Sequence, residues 1–132
     1  MVSKKRERII VSFEFPIKCS PSLLYNYISS ATGLADWFAD NVITKSRTEY
    51  IFKFEDGEEQ KAILLKSIPN KMVRFKWENT PENEYLDIEI IQDELTDDVA
   101  IKITEFCWDD EKREFEELWH SEIDQLKQAI GG

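Results

Sequence analysis

The stretch DDEKREFEELWHSEIDQLKQAIGG, Asp109 to Gly132, decides the architecture. At about 100° per residue, Phe115, Leu118, Trp119, Ile123, Leu126 and Ile130 fall within one broad apolar stripe. Asp109-Asp110 is placed to cap a helix over Glu111 to Ile130, with acidic residues at its positive end and Lys127 near its negative end. Gly131-Gly132 stops it. A helix this long, polar on one side and apolar on the other, needs a wide apolar surface to lie on. The rest of the chain must supply that surface.

Upstream the pattern changes from helical to alternating. Glu49 to Glu55 puts Tyr50, Phe52 and Phe54 on one face, and Asp56-Gly57 is a hairpin turn. Glu59 to Ile68 follows, with its faces ambiguous because Ile63, Leu64 and Leu65 are consecutive. Pro69-Asn70 turns the chain into Met72 to Trp77, which directs Val73, Phe75 and Trp77 inward. Glu84 to Gln92 directs Leu86, Ile88 and Ile90 inward, and Val99 to Phe106 does so with Val99, Ile101 and Ile103. Asn41 to Lys45 is a weak strand ahead of these.

The amino-terminal third has one more strand and two short helices. Arg8 to Phe15 alternates, with Ile9, Val11, Phe13 and Phe15 on one side, and Pro16 ends it. Ser20-Pro21 pairs a capping serine with a proline at the first helical position, so Pro21 to Ser29 reads as a helix. Thr32-Gly33 breaks it, and Leu34 to Ala39 adds a turn carrying Asp36-Trp37-Phe38. The order is strand, two short helices, about six strands and a long helix. Hairpin-linked strands form an antiparallel sheet, so the class is α+β: a curved sheet of six or seven strands wrapped on the last helix.

The chain has 132 residues, 42% of them apolar, with 8 Phe, 4 Trp and 4 Tyr. That suits a single domain, 1–132, with a true core. The net charge of −10 disfavours nucleic acid and anionic membranes, which both call for a cationic face. No stretch nears the ~20 apolar residues of a membrane span. With a charged start and no signal-type apolar run, the expected location is the cytoplasm. Cys19 and Cys107 fit no metal spacing, and are expected as free thiols at opposite ends of paired strands. No phosphate loop or nucleophile elbow is present, so no cofactor, metal or catalytic residue is assigned.

The order of elements resembles the helix-grip fold of the START-like, or SRPBCC, superfamily, which includes the birch pollen allergen proteins. The detail is most similar to homologues of the heat-shock-chaperone ATPase activator. Ser20-Pro21, the run Gly33-Leu34-Ala35-Asp36-Trp37-Phe38, and Trp119 to Ile130 with Leu126-Lys127 carry the resemblance. It implies a hollow domain that binds lipids, sterols, hormones or polyketides, catalyses cyclisation or dehydration, or binds proteins. No shared catalytic signature transfers. The segment Trp77 to Ile101, with nine acidic residues and no basic one, departs from the family.

Glu122 falls at the centre of the apolar stripe, between Trp119 and Leu126. A carboxylate facing a core is costly unless paired. It is therefore either a polar group in a cavity or a rim residue reaching water. Strand parity also turns Glu105 inward. The expected pocket is lined by Tyr50, Phe52, Phe75, Trp77, Ile88, Ile101, Trp119 and Glu122, with Trp37 and Phe38 closing its mouth. Ordinary core packing is the plain alternative for these aromatics. His120, the single histidine, is read as a surface residue, and Asp93, Glu94, Asp97 and Asp98 as a solvated turn. The expected function is binding of a small apolar or amphipathic ligand. Competing readings are a protein-interaction module of the chaperone-activator kind with a protein partner, or a cyclase or dehydratase using Glu122.

Overall fold

A computed structural model describes residues 5–131. The chain runs β1 (Arg8–Pro16), α1 (Pro21–Ser29), α2 (Ala31–Ala35), β2 (Asn41–Thr44), β3 (Glu49–Lys53), β4 (Glu59–Ile68), β5 (Met72–Trp77), β6 (Leu86–Gln92) and β7 (Val99–Trp108). A 3-10 turn (Asp109–Glu111) leads into α3 (Lys112–Ile130). The seven strands form one antiparallel sheet in the order β1-β7-β6-β5-β4-β3-β2. Curved around α3, with α1 and α2 between β1 and β2 in the chain, this is the helix-grip arrangement.

Alternation along the strands creates the core. Val11, Phe13, Phe15, Phe52, Ala62, Val73, Phe75, Ile88, Ile101 and Ile103 are buried together with Trp119, Ile123 and Leu126 of α3. The ambiguous faces of β4 are settled by a register shift between Leu64 and Lys66. Ala62 and Leu64 join the core side, and Leu65, the residue at the irregularity, is 55% exposed. Such a bulge gives one strand an extra unpaired residue and bends it.

Two parts of the helical reading are corrected. The second helix starts at Ala31 and ends at Ala35, so Thr32-Gly33 lies inside it and Trp37-Phe38 falls in the turn beyond. Ser30 is the reason. Its Oγ accepts the Gly33 amide at 2.9 Å, which restarts the helix immediately after α1 ends. Gly33 is required by a close approach. A Cβ there would lie 2.1 Å from the Asn26 carbonyl oxygen and 2.7 Å from the Tyr27 Cα. The stripe on α3 is also narrower than its periodicity suggested. Leu118 is 53% exposed, and the buried line runs through Trp119, Ile123 and Leu126. Glu122, next to Ile123, is only partly buried.

Ser20 caps α1 through its Oγ and the Leu23 amide at 3.3 Å. Asp109 and Asp110 begin the 3-10 turn, while Glu111 turns its carboxylate back to the Trp108 amide at 3.0 Å. Gly131 closes α3 with φ of 91°, a conformation that strains any other residue. Three hydroxyl or indole groups then tie the helices to the frame. Trp37 Nε1 donates to the Tyr27 carbonyl at 2.8 Å, Tyr50 OH to the Ser29 carbonyl at 2.9 Å, and Tyr27 OH to the Ala129 carbonyl at 3.1 Å.

Candidate functional site

The residues expected to line a cavity come together, and they pack against one another. Phe38 is the hub. Its ring stacks on Trp119 at 5.6 Å with a 16° interplanar angle, and on Trp77 at 6.3 Å with 24°. It meets Phe52 edge-on at 5.5 Å and Trp37 at 5.5 Å. Phe52 in turn contacts Tyr50, Phe75 and Trp77 at 6.1, 5.8 and 5.2 Å. Ile88 and Ile101 are fully buried in the same core. Phe38, expected with Trp37 at a mouth, packs against the indoles of both sheet and helix and also borders an open hollow together with Trp37. The turn after α2 carries it there, because the helix ends three residues before it.

Polar groups meet this cluster at two places. Trp119 Nε1 donates to Glu105 Oε1 at 2.9 Å. Burial pushes the Glu105 carboxyl up to about 7, while the Trp119 and Trp77 indoles and the Arg8 charge favour its ionised form. Alternation along β7 is the sequence signal that found Glu105 facing inward. Glu122 lines a different, open hollow of about 410 Å³, shared with Asp36, Trp37, Phe38, Phe54 and Glu55. Its carboxyl is also raised to about 7, by desolvation. Glu122 and Glu105 thus act in separate surroundings. Tyr50, expected to line the pocket, donates its hydroxyl proton to the Ser29 carbonyl.

A hollow of about 220 Å³ beside Glu105 is bordered by Trp77, Phe115, Glu84 and Arg8. Arg8 Nε donates to Glu84 Oε2 at 2.9 Å, and its guanidinium lies 4.9 Å above the Trp108 ring. Sequence reasoning missed this pair: Glu84 shares the inward parity of Leu86, Ile88 and Ile90, but it lies in the turn before β6 and its partner is 76 positions away. On the outer face Arg74 and Asp87 form a cross-strand pair, with bonds of 2.7 and 2.9 Å, and the Arg74 guanidinium lies over the Tyr85 ring. Lys76 bonds Thr80 and the Trp77 carbonyl. His120 is exposed and packs edge-on against Phe15 at 4.9 Å. Cys19 and Cys107 are free thiols.

The outer face of β2, β3 and β4 carries a separate patch. Ile43 pairs across from Ile51, and Ile63 lies one strand further on. Ile43 and Ile63 are exposed. Lys45, Lys61, Glu49 and Glu78 border this patch, around an open hollow of about 360 Å³.

A seven-stranded sheet gripping a terminal helix, its interior lined by aromatic side chains, defines a helix-grip domain. The chain belongs to the START-like superfamily, whose domain it matches over residues 4–132. Among solved structures it is similar to the Aha1 dimer from Colwellia psychrerythraea, with 22% identity, 92% of this chain and 95% of that one covered, and a TM-score of 0.74. A solution structure of a Bacteroides fragilis protein shares 30% identity over 98% of this chain and 94% of that one, with a TM-score of 0.62. DynU16, a protein of the dynemicin biosynthetic locus, shares 11% identity over 97% of this chain and 48% of its own, with a TM-score of 0.68. No curated protein sequence matches the chain. Among the described residues, no helix is long and apolar enough to cross a membrane.

Proposed function

We propose that this START-like domain is a cytoplasmic protein-interaction module of the chaperone-activator kind. The observation that carries the reading is the position of Phe38. Its ring lies between Trp77 and Trp119, in the space a guest molecule would need. The groups that would recognise a guest there are engaged with the protein itself, Tyr50 with Ser29 and Glu105 with Trp119. The exposed Ile43 and Ile63, flanked by Lys45 and Lys61, offer an apolar strip with a charged rim, the usual make-up of a docking surface. Likeness in fold to the Aha1 dimer agrees with this reading.

The test is a titration of a purified heat-shock chaperone of the class that Aha1 activates, following ATP turnover and heat of binding. The expected result is a saturable rise in turnover that Ile63→Glu reduces. Unchanged turnover and no heat of binding refute the reading.

Ligand binding is a second reading, favoured by one observation. Phe38 also borders the open hollow that holds Glu122, so a rotation of its ring toward that hollow vacates the space between Trp77 and Trp119. Under this reading native mass spectrometry of the purified protein shows a retained small apolar or amphipathic molecule, and Glu122→Leu weakens its retention.

A further inference from the structure

The first strand has a free edge whose backbone groups can be assigned one by one. β1 pairs with β7 in unbroken register, Arg8 opposite Trp108 through Pro16 opposite Ala100. Just beyond the two ends, the Asp109 amide donates to the Glu7 carbonyl at 2.8 Å and the Ile17 amide to the Val99 carbonyl at 2.9 Å. Hydrogen-bonded and non-bonded pairs alternate along an antiparallel ladder. Both flanking bonds fall on odd-numbered residues of β1. The odd residues therefore bond β7, and the amide and carbonyl groups of Arg8, Ile10, Ser12 and Glu14 point to the open edge. Pro16 shares that parity and has no amide to offer, which is where proline is tolerated in a sheet. Among the described residues no strand pairs with this edge.

Long exposed edges join other chains, and natural proteins blunt them with bulges, charged side chains, proline, inward charges or short length; on β1 the edge charges Arg8 and Glu14 are of opposite sign and Pro16 stands at the very end. β1 has nine residues, an unbroken register and no inward-facing charge in Val11, Phe13 or Phe15. The opposite edge, β2, has four residues. Ile10 adds an apolar side chain on the outer face, 53% exposed, across from the partly buried Phe106.

We infer that two copies of this chain join through their β1 edges, antiparallel and centred on Val11, into one continuous fourteen-stranded sheet. The strand is complementary to itself in that register. Arg8 falls opposite Glu14 of the second copy, and Ile10 opposite its Ser12. All four free amides and all four free carbonyls on each edge then find partners, and Pro16 is left outside the ladder. The two Ile10 side chains become diagonal neighbours on the outer face, within reach of each other. Arg8 keeps Glu84, so its cationic head is held in place as Glu14 of the second copy approaches. A partner of unrelated sequence gains the same backbone bonds without this pairing of charge, which is why the second copy is the favoured occupant.

Joining through one strand edge belongs to the small interface class, under about 1,200 Å², so mass is read by sedimentation equilibrium from micromolar to millimolar concentration. The expected result is a monomer–dimer equilibrium. Ile10→Pro removes an open-edge amide without touching the β7 ladder and shifts the equilibrium to monomer. Glu14→Lys, which places like charges opposite each other, weakens dimerisation at least tenfold. Circular dichroism confirms that both variants keep the fold. Amide exchange gives an independent readout, with Ile10, Ser12 and Glu14 protected at high concentration and exchanging on dilution while Val11 and Phe13 stay protected throughout. A wild-type chain monomeric at millimolar concentration overturns the inference. So does a dimer that survives both substitutions, or protection of Ile10, Ser12 and Glu14 unaffected by dilution.

Discussion

Trp119 of the terminal helix donates its indole proton to Glu105 of the last strand at 2.9 Å, which makes an ionisable group part of the joint between helix and sheet. The Glu105 carboxyl, ordinarily near 4.5, titrates at about 7 because burial penalises its charge. Between those values the folded chain holds a proton that the unfolded chain has released. Stability is therefore fully present below about pH 4.5 and falls as pH rises to about 7, by on the order of 3 kcal/mol if the whole shift is realised. Urea unfolding across that range measures the slope. Glu105→Gln keeps an acceptor for Trp119 and is expected to flatten it.

Removing the donor gives the converse. Hydrogen bonding from Trp119 favours the ionised carboxylate and holds its titration down. In Trp119→Phe that restraint is gone, and the Glu105 midpoint moves up beyond about 7. Carboxyl-carbon NMR over a pH series reads it directly. A midpoint that stays in place or moves down contradicts the assignment of this bond as the stabilising contact.

Glu122 has the same direction of shift with a weaker cause to exploit. Desolvation against the rim of the open hollow raises its carboxyl to about 7. It remains partly exposed, so solvent screens much of the cost. Glu122→Leu is expected to raise stability modestly above pH 7 and to leave it nearly unchanged below pH 4.5, where the wild-type carboxyl is neutral. Thermal unfolding at the two pH values separates these outcomes. An equal gain at both would assign the effect to packing alone.

The elements readable from sequence are those whose pattern is local. Pro21–Ser29, Glu59–Ile68 and Met72–Trp77 are bounded in the sequence as in the structure, because a cap, a turn and an alternation mark them. What escaped is set by distant partners. Gly33 reads as a breaker, yet it is a helical residue admitted by the approach of α1 at Asn26 and Tyr27. Leu118 has the right period for the buried stripe, yet it is exposed, because the buried line of the helix runs through Trp119, Ile123 and Leu126. The aromatic residues were identifiable, whereas the stacking of Phe38 between Trp77 and Trp119 depends on a turn that periodicity does not describe. Arg8 with Glu84 joins positions with no shared local pattern.

Phe38→Ala is the direct measure of how much the aromatic interior depends on one ring. The substitution removes the stacks on Trp119 and Trp77 and the edge contacts with Phe52 and Phe54. Phe38 is partly exposed, so the loss is expected toward the low end of the range for buried phenylalanine, about 3 kcal/mol by denaturant unfolding. The space left is walled by aromatic side chains and is expected to bind a small apolar probe that the wild type does not, as engineered apolar cavities do. Fluorescence titration with such a probe distinguishes an open void from a collapsed one.

Gly33→Ala tests the crossing of α1 and α2. In a helix interior this exchange ordinarily stabilises, by up to about 1 kcal/mol, because alanine loses less conformational entropy. Here the added carbon meets the Asn26 carbonyl oxygen at 2.1 Å, the Tyr27 Cα at 2.7 Å and the Ser30 Oγ at 2.8 Å. The first two belong to backbone and cannot rotate away. Relief requires α2 to move off α1, which strains the Ser30 cap and the Trp37 bond to Tyr27. The steric term therefore outweighs the entropic one, and the expected result is a loss of about 3 kcal/mol, at the upper end for overpacking. Chemical denaturation gives the magnitude, and quenching of Trp37 fluorescence follows the shift of its turn. A neutral or stabilising outcome would mean that the two helices can part without cost and that the turn carrying Phe38 is free to move.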